Sequence, residues 1–519
     1  MTETAAAELL RREFATVADL IRAHARAQPD SAALIHAGRS IDYAALDRMM
    51  DRVAAALQRD GLRPCDTVAI CGATSIEYVA IFLGCLRAGV AVAPLATTYS
   101  PRTFSAMVAD AGAKALFLDE NLAGALSSAA AAVPTVLLDA GSASLQRWLA
   151  KEGSVPAAAA AAAAVRPDWP FNVIYSSGTT GMPKGIVQPH AFRWANVQRA
   201  ALFGYGPGSV VLLATPLHSN LTLATLFGVL SLGGSVVMLA KFDAERYLAL
   251  AHEVGATHTM LVPVQYQRLL AHENFGNYDL SSFAMKFSTG APFAAALKDE
   301  VLRRWPGGLI EIYAMTEGGG ASMLEAHKFP GKLHTVGTPM PRNELRIIDA
   351  AGREVAAGTS GEIVGHSPAM MTGYLNQPSM TAAAQWYDSQ GRRFIRTGDI
   401  GCMDHDGFLV LLDRQKDLII SGGFNVYPSD LEAVLREHPA IEEAAVVGVA
   451  SARWGETPVA CVVLKGGADL GAAALTAWAN QRLGKLQRIA SVRIVSSLPR
   501  NEAGKVLKRA LRDTIAADA

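Results

Sequence analysis

Residues 171–185 read FNVIYSSGTTGMPKG. The apolar, partly β-branched run at 171–175 predicts a buried strand, and a loop rich in glycine and hydroxyl residues follows it directly. Glycines let the backbone approach an anion closely, so that amide N–H groups can point at phosphate. The hydroxyl groups add donors, and Lys184 adds a mobile positive charge. The stretch therefore predicts a strand followed by a phosphate-binding loop.

The order of residues in this loop differs from that of the P-loop NTPases. Their motif, G-x-x-x-x-G-K-[ST], places a hydroxyl residue directly after the lysine. Here Gly185 follows Lys184, and no Ser or Thr comes next. A Walker-type nucleotide site is therefore a poor interpretation.

The pattern outside the loop predicts a layered α/β protein. Strand-like and helix-like segments alternate between residues 15 and 118 and resume after residue 185. From about residue 335 short strands separated by turn residues predict a small antiparallel barrel. A charged pentapeptide at 413–417 separates two apolar runs and predicts a domain boundary, followed by a small α+β domain of roughly 100 residues. Ser429 and Glu432 have the spacing of a helix capping box in this domain.

Composition limits the class of protein. Lys plus Arg and Asp plus Glu both number 47, which gives no support for a nucleic acid or an anionic membrane as partner. Five cysteines without C-x-x-C spacing predict reduced thiols in a cytoplasmic protein rather than a zinc site. The acidic N-terminus lacks the apolar segment of a signal peptide. Residues 209–240 carry no charge, but Pro216 and the pair at 233–234 divide them into strand 209–214, helix 221–231 and strand 235–239, so no transmembrane segment is expected.

Three further motifs follow the loop in the chain. They are Tyr313-Ala314-Met315-Thr316-Glu317, Thr397-Gly398-Asp399, and Pro499 to Lys505 with the sequence PRNEAGK. Together with the loop they resemble the motifs of the adenylate-forming enzymes, which include acyl-CoA synthetases, aryl-CoA ligases, luciferases and peptide-synthetase adenylation domains. Ala314 replaces the glycine usual in that family. The resemblance covers nearly the whole chain.

The resemblance implies the domain organisation. Residues 1–413 would form an ATP- and acid-binding domain of two layered α/β sheets, with the small β-barrel at about 335–413. Residues 414–417 would be a hinge, and residues 418–519 a small mobile α+β lid. Lys416 occupies the family's hinge position, where a few residues must absorb the change in backbone angles when the lid rotates.

The resemblance also implies which residues handle the nucleotide and the thiol. Glu317 would hold magnesium, since a hard cation prefers carboxylate oxygen. Asp399 would accept hydrogen bonds from both ribose hydroxyls, joined by Arg414. Lys505 is the implied catalytic cation, and Thr180 and His218 complete the catalytic set with Glu317. The other implied cofactor-binding residues are Ser176, Ser177, Gly178, Thr179, Gly181, Lys184, Gly290, Ala291, Pro292, Tyr313, Ala314, Met315, Thr316, Lys416, Ser421, Gly422 and Gly423.

The acid pocket is less clearly marked in the sequence. In the family, the segment resembling Pro216-Leu217-His218 lies at the carboxylate end of the pocket. Glycines beside Glu317 leave room near the α-phosphate. The candidate substrate residues are His218, Asn220, Thr222, Gln265, Thr289, Gly318 and Gly319.

The resemblance implies an AMP-forming acid–thiol ligase using ATP, Mg²⁺ and coenzyme A. Its acid is expected to be aromatic (benzoate- or cinnamate-like), cyclic or of medium chain length. The alternatives are a fatty-acyl-CoA synthetase, a stand-alone adenylation enzyme that loads a carrier protein, and a non-catalytic nucleotide or acyl binder. Oligomeric state is not readable from the sequence, and a homodimer is the working assumption.

Overall fold

The fold is described from a computed structural model. It covers residues 5–126, 133–138, 143–151, 164–176, 183–414, 417–421, 424–451, 454–468, 470–484, 488–500 and 504–517. The chain divides into two compact units. The first comprises residues 1–333, 340–344 and 365–395, and the second comprises 334–339, 345–364 and 396–519. Nearly all of the alanine run at 157–164 lies outside the described residues.

Two sheets form the framework of the first unit. In chain order, the strands up to residue 403 are β1 Ala32–His36, β2 Arg39–Asp42, β3 Thr67–Cys71, β4 Ala91–Pro94, β5 Leu116–Leu118, β6 Thr135–Leu137, β7 Pro170–Ser176, β8 Lys184–Pro189, β9 Val210–Leu213, β10 Ser235–Met238, β11 His258–Leu261, β12 Met285–Ser288, β13 Gly308–Tyr313, β14 Ser322–Glu325, β15 Thr338–Pro339, β16 Glu344–Ile348, β17 Gly361–His366, β18 Gly373–Tyr374, β19 Gln385–Tyr387 and β20 Arg393–Met403. Of these, β15 and most of β16, β17 and β20 belong to the second unit, and β16, β17, β19 and β20 form a separate sheet. One sheet has the order β14-β13-β12-β11-β9-β10-β1-β2, and the other has the order β18-β8-β7-β4-β3-β5-β6.

Helices cover these sheets. They are α1 Ala5–Leu10, α2 Val17–Ala27, α3 Tyr43–Arg59, α4 Ile76–Arg87, α5 Pro101–Asp110, α6 Glu120–Ala123, α7 Ala143–Ala150, α8 His190–Ala200, α9 Asn220–Ser231, α10 Ala244–Glu253, α11 Pro263–Leu270, α12 Ala295–Arg304 and α13 Pro378–Ala383. Helix α4 is apolar around most of its circumference, and all of its residues are buried, as expected for a helix inside a core. The predicted strand–helix–strand division of residues 209–240 is confirmed by β9, α9 and β10.

Four parallel strands of the first sheet end at the same edge of that sheet. Strands β13, β12, β11 and β9 are neighbours and run parallel. The carboxyl ends of parallel strands meet at a common edge, where α/β proteins bind ligands. The segments that follow these four strands at 214–222, 262–265, 289–292 and 314–319 therefore lie along one edge. Most of the predicted acid and nucleotide residues are in these segments.

The second sheet carries the glycine-rich stretch. Strand β7 is buried, as its apolar sequence predicts. It pairs antiparallel with β8, from Pro170 opposite Pro189 to Ser176 opposite Lys184. The short strand β18 adds to the edge of β8, with Tyr374 opposite Ile186. This pairing places Tyr374 on the strand next to β8, close to the residues that begin β8.

The second unit contains an antiparallel sheet and the C-terminal α+β domain. In the first of these, β20 pairs antiparallel with β21 Leu409–Arg414 through a turn at Gly407. The C-terminal domain contains β22 Ile419–Ser421, β23 Phe424–Val426, α14 Pro428–Arg436, β24 Ile441–Ser451, β25 Gly455–Leu464, α15 Ala472–Arg482, β26 Ser491–Ile494 and α16 Lys508–Ala517. Its sheet order is β23-β22-β25-β24, with β26 on β25.

One predicted cap in this domain is wrong. Helix α14 starts after Tyr427 with Pro428 in its first turn, and Tyr427 makes no side-chain cap. The Ser429 hydroxyl donates to the carbonyl oxygen of Leu412 instead. Glu432 accepts from the Val446 amide at 2.9 Å and pairs with Lys508 at 2.8 Å. Ser429 and Glu432 therefore bind α14 to neighbouring segments of the chain instead of forming a capping box.

Two features bear on the class of protein. None of the five cysteines, all within the described residues, forms a disulfide. Within the described residues, no helix combines the length and apolar character needed to span a membrane.

Candidate active site

Three polar side chains meet where the glycine-rich stretch approaches the segment after β13. The Lys184 ammonium donates to Glu317 Oε1 at 2.7 Å and to the Tyr374 hydroxyl at 2.7 Å. The Tyr374 hydroxyl donates to the same Oε1 at 2.8 Å. The ammonium also lies 4.1 Å from the centroid of the Tyr374 ring, within cation–π range. We call these three residues the carboxylate clamp.

Burial strengthens the clamp. The Glu317 side chain is 9% exposed and the Lys184 side chain 22%. Desolvation, followed by the adjacent Glu317 charge, raises the pKa of Tyr374 far above its usual value, so its hydroxyl stays protonated and can donate. Both bonds to Glu317 end on Oε1, and Oε2 has no protein partner among the described residues. The free oxygen suits a metal ion or another cationic ligand.

The backbone around Glu317 is fixed by a second segment of the same unit. Met371 donates its amide to the carbonyl of Glu317 at 2.8 Å, and Gly319 donates to the carbonyl of Ala369 at 2.9 Å. Gly318 has φ +75°, and a Cβ there would overlap the carbonyl of Ala369. Only glycine fits this conformation and this contact without strain. The segment after β13 is therefore packed against residues 369–371.

The glycine-rich loop is described only at its two ends. Ser176 ends β7, and its hydroxyl oxygen is buried without a hydrogen-bond partner among the described residues. Lys184 begins β8 opposite Ser176. The predicted residues Ser177, Gly178, Thr179, Thr180 and Gly181 lie outside the described residues, as do Lys416, Gly422 and Gly423.

Below the clamp lies a buried group that we call the amide network. Its members are Asn172, Gln188, Arg193 and Asn220. Arg193 donates from Nε to Asn172 Oδ1 at 3.0 Å, and from Nη2 to Gln188 Oε1 at 2.6 Å and Asn220 Oδ1 at 2.8 Å. Gln188 donates to the carbonyl of Thr316 at 2.7 Å and to Asn220 Oδ1 at 3.1 Å. The network therefore links β7, β8, α8 and the start of α9 to the backbone beside Glu317.

The predicted acid residues divide into two groups. Thr222 is wholly buried with its hydroxyl 2.7 Å from that of Thr215, and Gln265 uses both ends of its amide on the backbone of Val262 and Ala214. The polar groups of these two side chains are thus hydrogen-bonded within the fold. His218, Asn220 and Thr289 are half-buried and follow β9 or β12 at the common edge, and Gly318 and Gly319 follow β13.

The remaining nucleotide residues of the first unit also follow these strands. Tyr313 ends β13 half-buried, and Ala314 after it is exposed. Met315 packs against an apolar cluster formed by Ile186, Met371, Tyr374 and Ile395. Gly290 has φ +88° in the segment after β12, where Ala291 is half-buried and Pro292 exposed.

The second unit brings two other predicted residues together. Asp399 on β20 lies directly opposite Arg414 on β21 in the antiparallel pair. The Asp399 amide is held by the Thr397 hydroxyl at 3.0 Å. Ser421 is half-buried at the end of β22.

Lys505 sits at a tight turn of the second unit. Gly504 before it has φ +75°, and Leu507 after it donates to the carbonyl of Pro499 at 2.8 Å. Arg500 donates to the carbonyl of Gly504 at 2.6 Å and pairs with Glu443 of β24 at 2.9 Å. The backbone beside Lys505 is therefore anchored to the sheet of its own domain.

Sequence reasoning missed Tyr374, Gln188 and Arg193. Tyr374 contacts residues 190 and 57 positions away in the chain, which local motifs do not reveal. Arg193 did carry a signal, because it interrupts the apolar residues Phe192 and Trp194 in a helix that is buried on most sides.

Comparisons with known proteins show the family. Residues 21–375 match the family model described as AMP-binding enzyme, and residues 430–505 match the AMP-binding enzyme C-terminal domain. The chain belongs to the AMP-binding enzyme family, as its motifs predicted.

Similar proteins include ligases with different acceptors. A fatty acid–[acyl-carrier-protein] ligase, ScoC, from Streptomyces coeruleorubidus is 32% identical, with 94% of each chain covered. A feruloyl-CoA synthase from Amycolatopsis is also 32% identical, over 94% of this chain and 96% of the relative. The solved o-succinylbenzoate coenzyme A synthetase (MenE) from Bacillus subtilis, in complex with ATP and magnesium ion, is 27% identical with a TM-score of 0.82, over 95% of this chain and 99% of that one. By class, the protein described here is an AMP-forming acid–thiol ligase.

Proposed function

We propose that this protein is an ATP-dependent carboxylic acid–CoA ligase for an aromatic, cyclic or medium-chain acid. The acid carboxylate attacks the α-phosphorus of ATP, forming an acyl-adenylate and releasing pyrophosphate. The thiol of CoA then attacks the acyl carbon, forming the thioester and releasing AMP. The observation that carries this proposal is the carboxylate clamp, because it joins the two segments predicted to handle the phosphates.

The clamp fits the main obstacle to the first step, which is the repulsion between a carboxylate and an anionic phosphate. Without ATP, Lys184 and Glu317 neutralise each other. With ATP, the Lys184 ammonium can turn towards phosphate oxygens, while Glu317 Oε2 is suited to hold magnesium. Bound magnesium would neutralise phosphate oxygens. Tyr374 keeps Glu317 in place through the other oxygen.

The second unit would supply the remaining groups. Asp399 and Arg414 hold the ribose, and Lys505 bridges the acid carboxylate and the α-phosphate in the adenylation state of the lid. Rotation about the hinge at 414–417 withdraws Lys505 and presents the Ser421–Gly423 segment to the CoA thiol. Support for these roles comes from the family motifs and from the pairing of Asp399 with Arg414. Cysteines without disulfides suit the reducing conditions of the cytoplasm.

A carrier protein is the alternative acceptor. It is favoured by the similarity to ScoC, which is as high as the similarity to the feruloyl-CoA synthase. The acyl-adenylate step is the same for both acceptors, so only the second half-reaction separates them.

The test is a two-stage assay of the purified protein. In the first stage, ATP–pyrophosphate exchange is measured with short, medium and long fatty acids and with benzoic and cinnamic acids. In the second, the best acid is supplied with CoA or with a phosphopantetheinyl carrier protein. We expect acid-dependent exchange and thioester formation with CoA. Exchange that stays silent with every acid would overturn the ligase assignment, and transfer to the carrier alone would establish the alternative.

A further inference from the structure

Gln188 is a wholly buried amide that uses all four of its hydrogen-bonding positions. Its oxygen accepts from Arg193 Nη2 at 2.6 Å and from Asn172 Nδ2 at 3.0 Å. Its NH₂ group donates to the carbonyl oxygen of Thr316 at 2.7 Å and to Asn220 Oδ1 at 3.1 Å. Gln188 therefore links a cation on one side to a backbone carbonyl of the candidate active site on the other.

Arg193 determines which way this amide points. A guanidinium group can only donate, so the oxygen of Gln188 must face it. With these partners, a reversed amide would direct its oxygen at the Thr316 carbonyl and would lose all four bonds. Arg193 is itself fixed, because its Nε donates to Asn172 at 3.0 Å and its guanidinium carbon lies 5.6 Å from the centroid of the Phe171 ring.

The cation in this arrangement has no anion among the described residues. Arg193 is 1% exposed, its Nη1 is buried without an acceptor, and its hydrogen bonds go to neutral amide oxygens. Desolvation, followed by the nearby Arg199 charge, lowers the pKa of Arg193 to about 9. A buried charge without a counterion costs stability. A glutamate in place of Gln188 would supply the anion from a side chain of the same length.

Glutamine can do one thing here that glutamate cannot. A carboxylate only accepts, so a glutamate at position 188 would place an oxygen against the carbonyl oxygen of Thr316. The amide accepts from the cation at one end and donates to this carbonyl at the other. The arrangement thus favours the bond to Thr316 over the stability that an ion pair would add.

The bond to Thr316 acts on the backbone of Glu317. Because the peptide group between these two residues is planar, fixing its carbonyl oxygen also fixes the direction of the Glu317 N–H. The carbonyl of Glu317 accepts from the Met371 amide at 2.8 Å, and its carboxylate accepts from the other two members of the carboxylate clamp. Gln188 therefore supplies the remaining hold, on the backbone directly before Glu317.

Strand β8 contributes two of these holds from one face. Lys184 and Gln188 are four residues apart on β8, and side chains separated by an even number of residues project to the same side of a strand. Lys184 bonds the Glu317 carboxylate, and Gln188 bonds the carbonyl before it. One strand thereby fixes both the side chain and the backbone of this segment.

We propose that Gln188, oriented by Arg193, is a positioning residue for the adenylation step, because it sets the backbone from which Glu317 reaches the phosphates and their metal ion. This inference rests on the proposed ligase function and adds a residue to its machinery. It predicts opposite effects on stability and activity when Gln188 is replaced by glutamate. A role in stability alone predicts that activity follows stability.

Gln188→Glu is the test. Its carboxylate pairs with Arg193, so the melting temperature should equal or exceed that of the wild type. Loss of the bond to Thr316 should lower kcat/KM for acid-dependent ATP–pyrophosphate exchange by about tenfold or more. Calorimetry of ATP binding with and without Mg²⁺ gives a readout that needs no turnover. The factor by which Mg²⁺ tightens ATP binding should be smaller in the variant by about threefold or more.

Asn196→Asp is the matched control on the same helix, α8. Asn196 is buried and accepts from Arg199 at 2.8 Å, and the Arg199 Nε is buried without an acceptor among the described residues. Desolvation lowers the pKa of Arg199 to about 10. The aspartate therefore adds the same charge beside a second desolvated cation, away from Thr316. It should match or exceed the wild-type melting temperature and keep wild-type exchange.

Gln188→Met tests the inference if the glutamate variant does not fold. Methionine has neither the donor nor the charge, so its melting temperature should fall. Measured well below that temperature, the variant should show the same reduced effect of Mg²⁺ on ATP binding. A wild-type effect of Mg²⁺ in either folded Gln188 variant would overturn the inference, as would an equal loss of exchange in Asn196→Asp.

These outcomes are separate from the ligase assignment. If the wild type and both Gln188 variants exchange equally well, the positioning role is wrong while the ligase assignment stands. If the wild type supports no exchange with any acid, the ligase assignment itself fails.

Discussion

Among single side chains, Tyr374 is the one whose role follows most directly from contacts. It donates to Glu317, accepts from Lys184, and places its ring against the lysine ammonium. Its backbone amide is in turn held by the Thr381 hydroxyl at 2.9 Å. We interpret Tyr374 as a positioning residue that holds Glu317 in the orientation needed for a metal ion.

Tyr374→Phe tests this interpretation. Removal of the hydroxyl frees Glu317 to rotate, and we expect kcat/KM for adenylation to fall by about tenfold, the value of a charge-assisted hydrogen bond. The concentration of Mg²⁺ needed for half-maximal exchange should rise. Tyr247→Phe is the control, since it removes another buried hydroxyl, bonded to Thr259. A fall in melting temperature with an unchanged Mg²⁺ dependence would show that Tyr374 is only structural.

Gly318 is the second residue with a specific geometric requirement. A Cβ there would overlap the Ala369 carbonyl as well as face a positive φ. Gly318→Ala should displace the segment that carries Glu317, with a loss of roughly 2–4 kcal/mol in stability and most of the exchange activity. Gly112→Ala is the control, because it has φ +58° but nothing within 4 Å of the added carbon. Equal effects of the two substitutions would mean that backbone strain alone accounts for the loss.

Among the elements, helix α8 begins with a histidine that resists protonation. Burial lowers the pKa of His190 from 6.5 to about 3, and the ring packs edge-on against Phe171 at 4.9 Å. The positive end of the helix dipole at this position also disfavours a cation. Between these two pH values the unfolded state binds one more proton than the folded state. The free energy of unfolding therefore falls as pH is lowered below 6.5.

His190→Leu should weaken this acid sensitivity. With this lowered pKa, His190 reduces the free energy of unfolding of the wild-type protein by about 2 kcal/mol between pH 7 and pH 5. Melting temperatures at the two pH values should differ less in the variant than in the wild type. His405→Leu, at an exposed turn position, should retain the wild-type difference. An identical pH response of His190→Leu and wild type would contradict a buried neutral imidazole.

The elements also show what the sequence could predict. The strand before the glycine-rich loop and the β9–α9–β10 division follow from the local sequence pattern, and the structure confirms them. The carboxylate clamp and the amide network depend on pairs that are distant in the chain, such as Lys184 with Glu317 and Arg193 with Asn220. Ser429 and Glu432 were wrongly predicted to cap a helix, because local spacing does not show that their side chains have tertiary partners.

For the whole molecule, the proposed two-step reaction requires one lid to serve two half-reactions. The linker at 414–417 is the predicted pivot, and Asp417 in it pairs with Arg512 of α16 at 2.7 Å. That contact lies within the second unit and ties the end of the linker to its own domain. We expect rotation to be absorbed before Asp417, at Lys416.

Lys416→Pro tests the pivot. Proline fixes φ and restricts the residue before it, so that the lid cannot change orientation freely. We expect ATP–pyrophosphate exchange to be retained and thioester formation from supplied acyl-adenylate to be lost. Lys416→Ala removes the charge but leaves the backbone free, and should preserve both half-reactions. Normal thioester formation by the proline variant would rule out a pivot at this position.

The most direct test of the proposed chemistry is the effect of Lys505→Ala on the two half-reactions. Acid-dependent ATP–pyrophosphate exchange should fall by about 10³-fold or more, because a charge that stabilises the transition state is lost. Thioester formation from supplied acyl-adenylate and CoA should stay near the wild-type rate. Lys508→Ala is the control, since Lys508 pairs with Glu432 inside the lid and should leave exchange intact. Full exchange in Lys505→Ala, or equal loss of both half-reactions, would contradict the account.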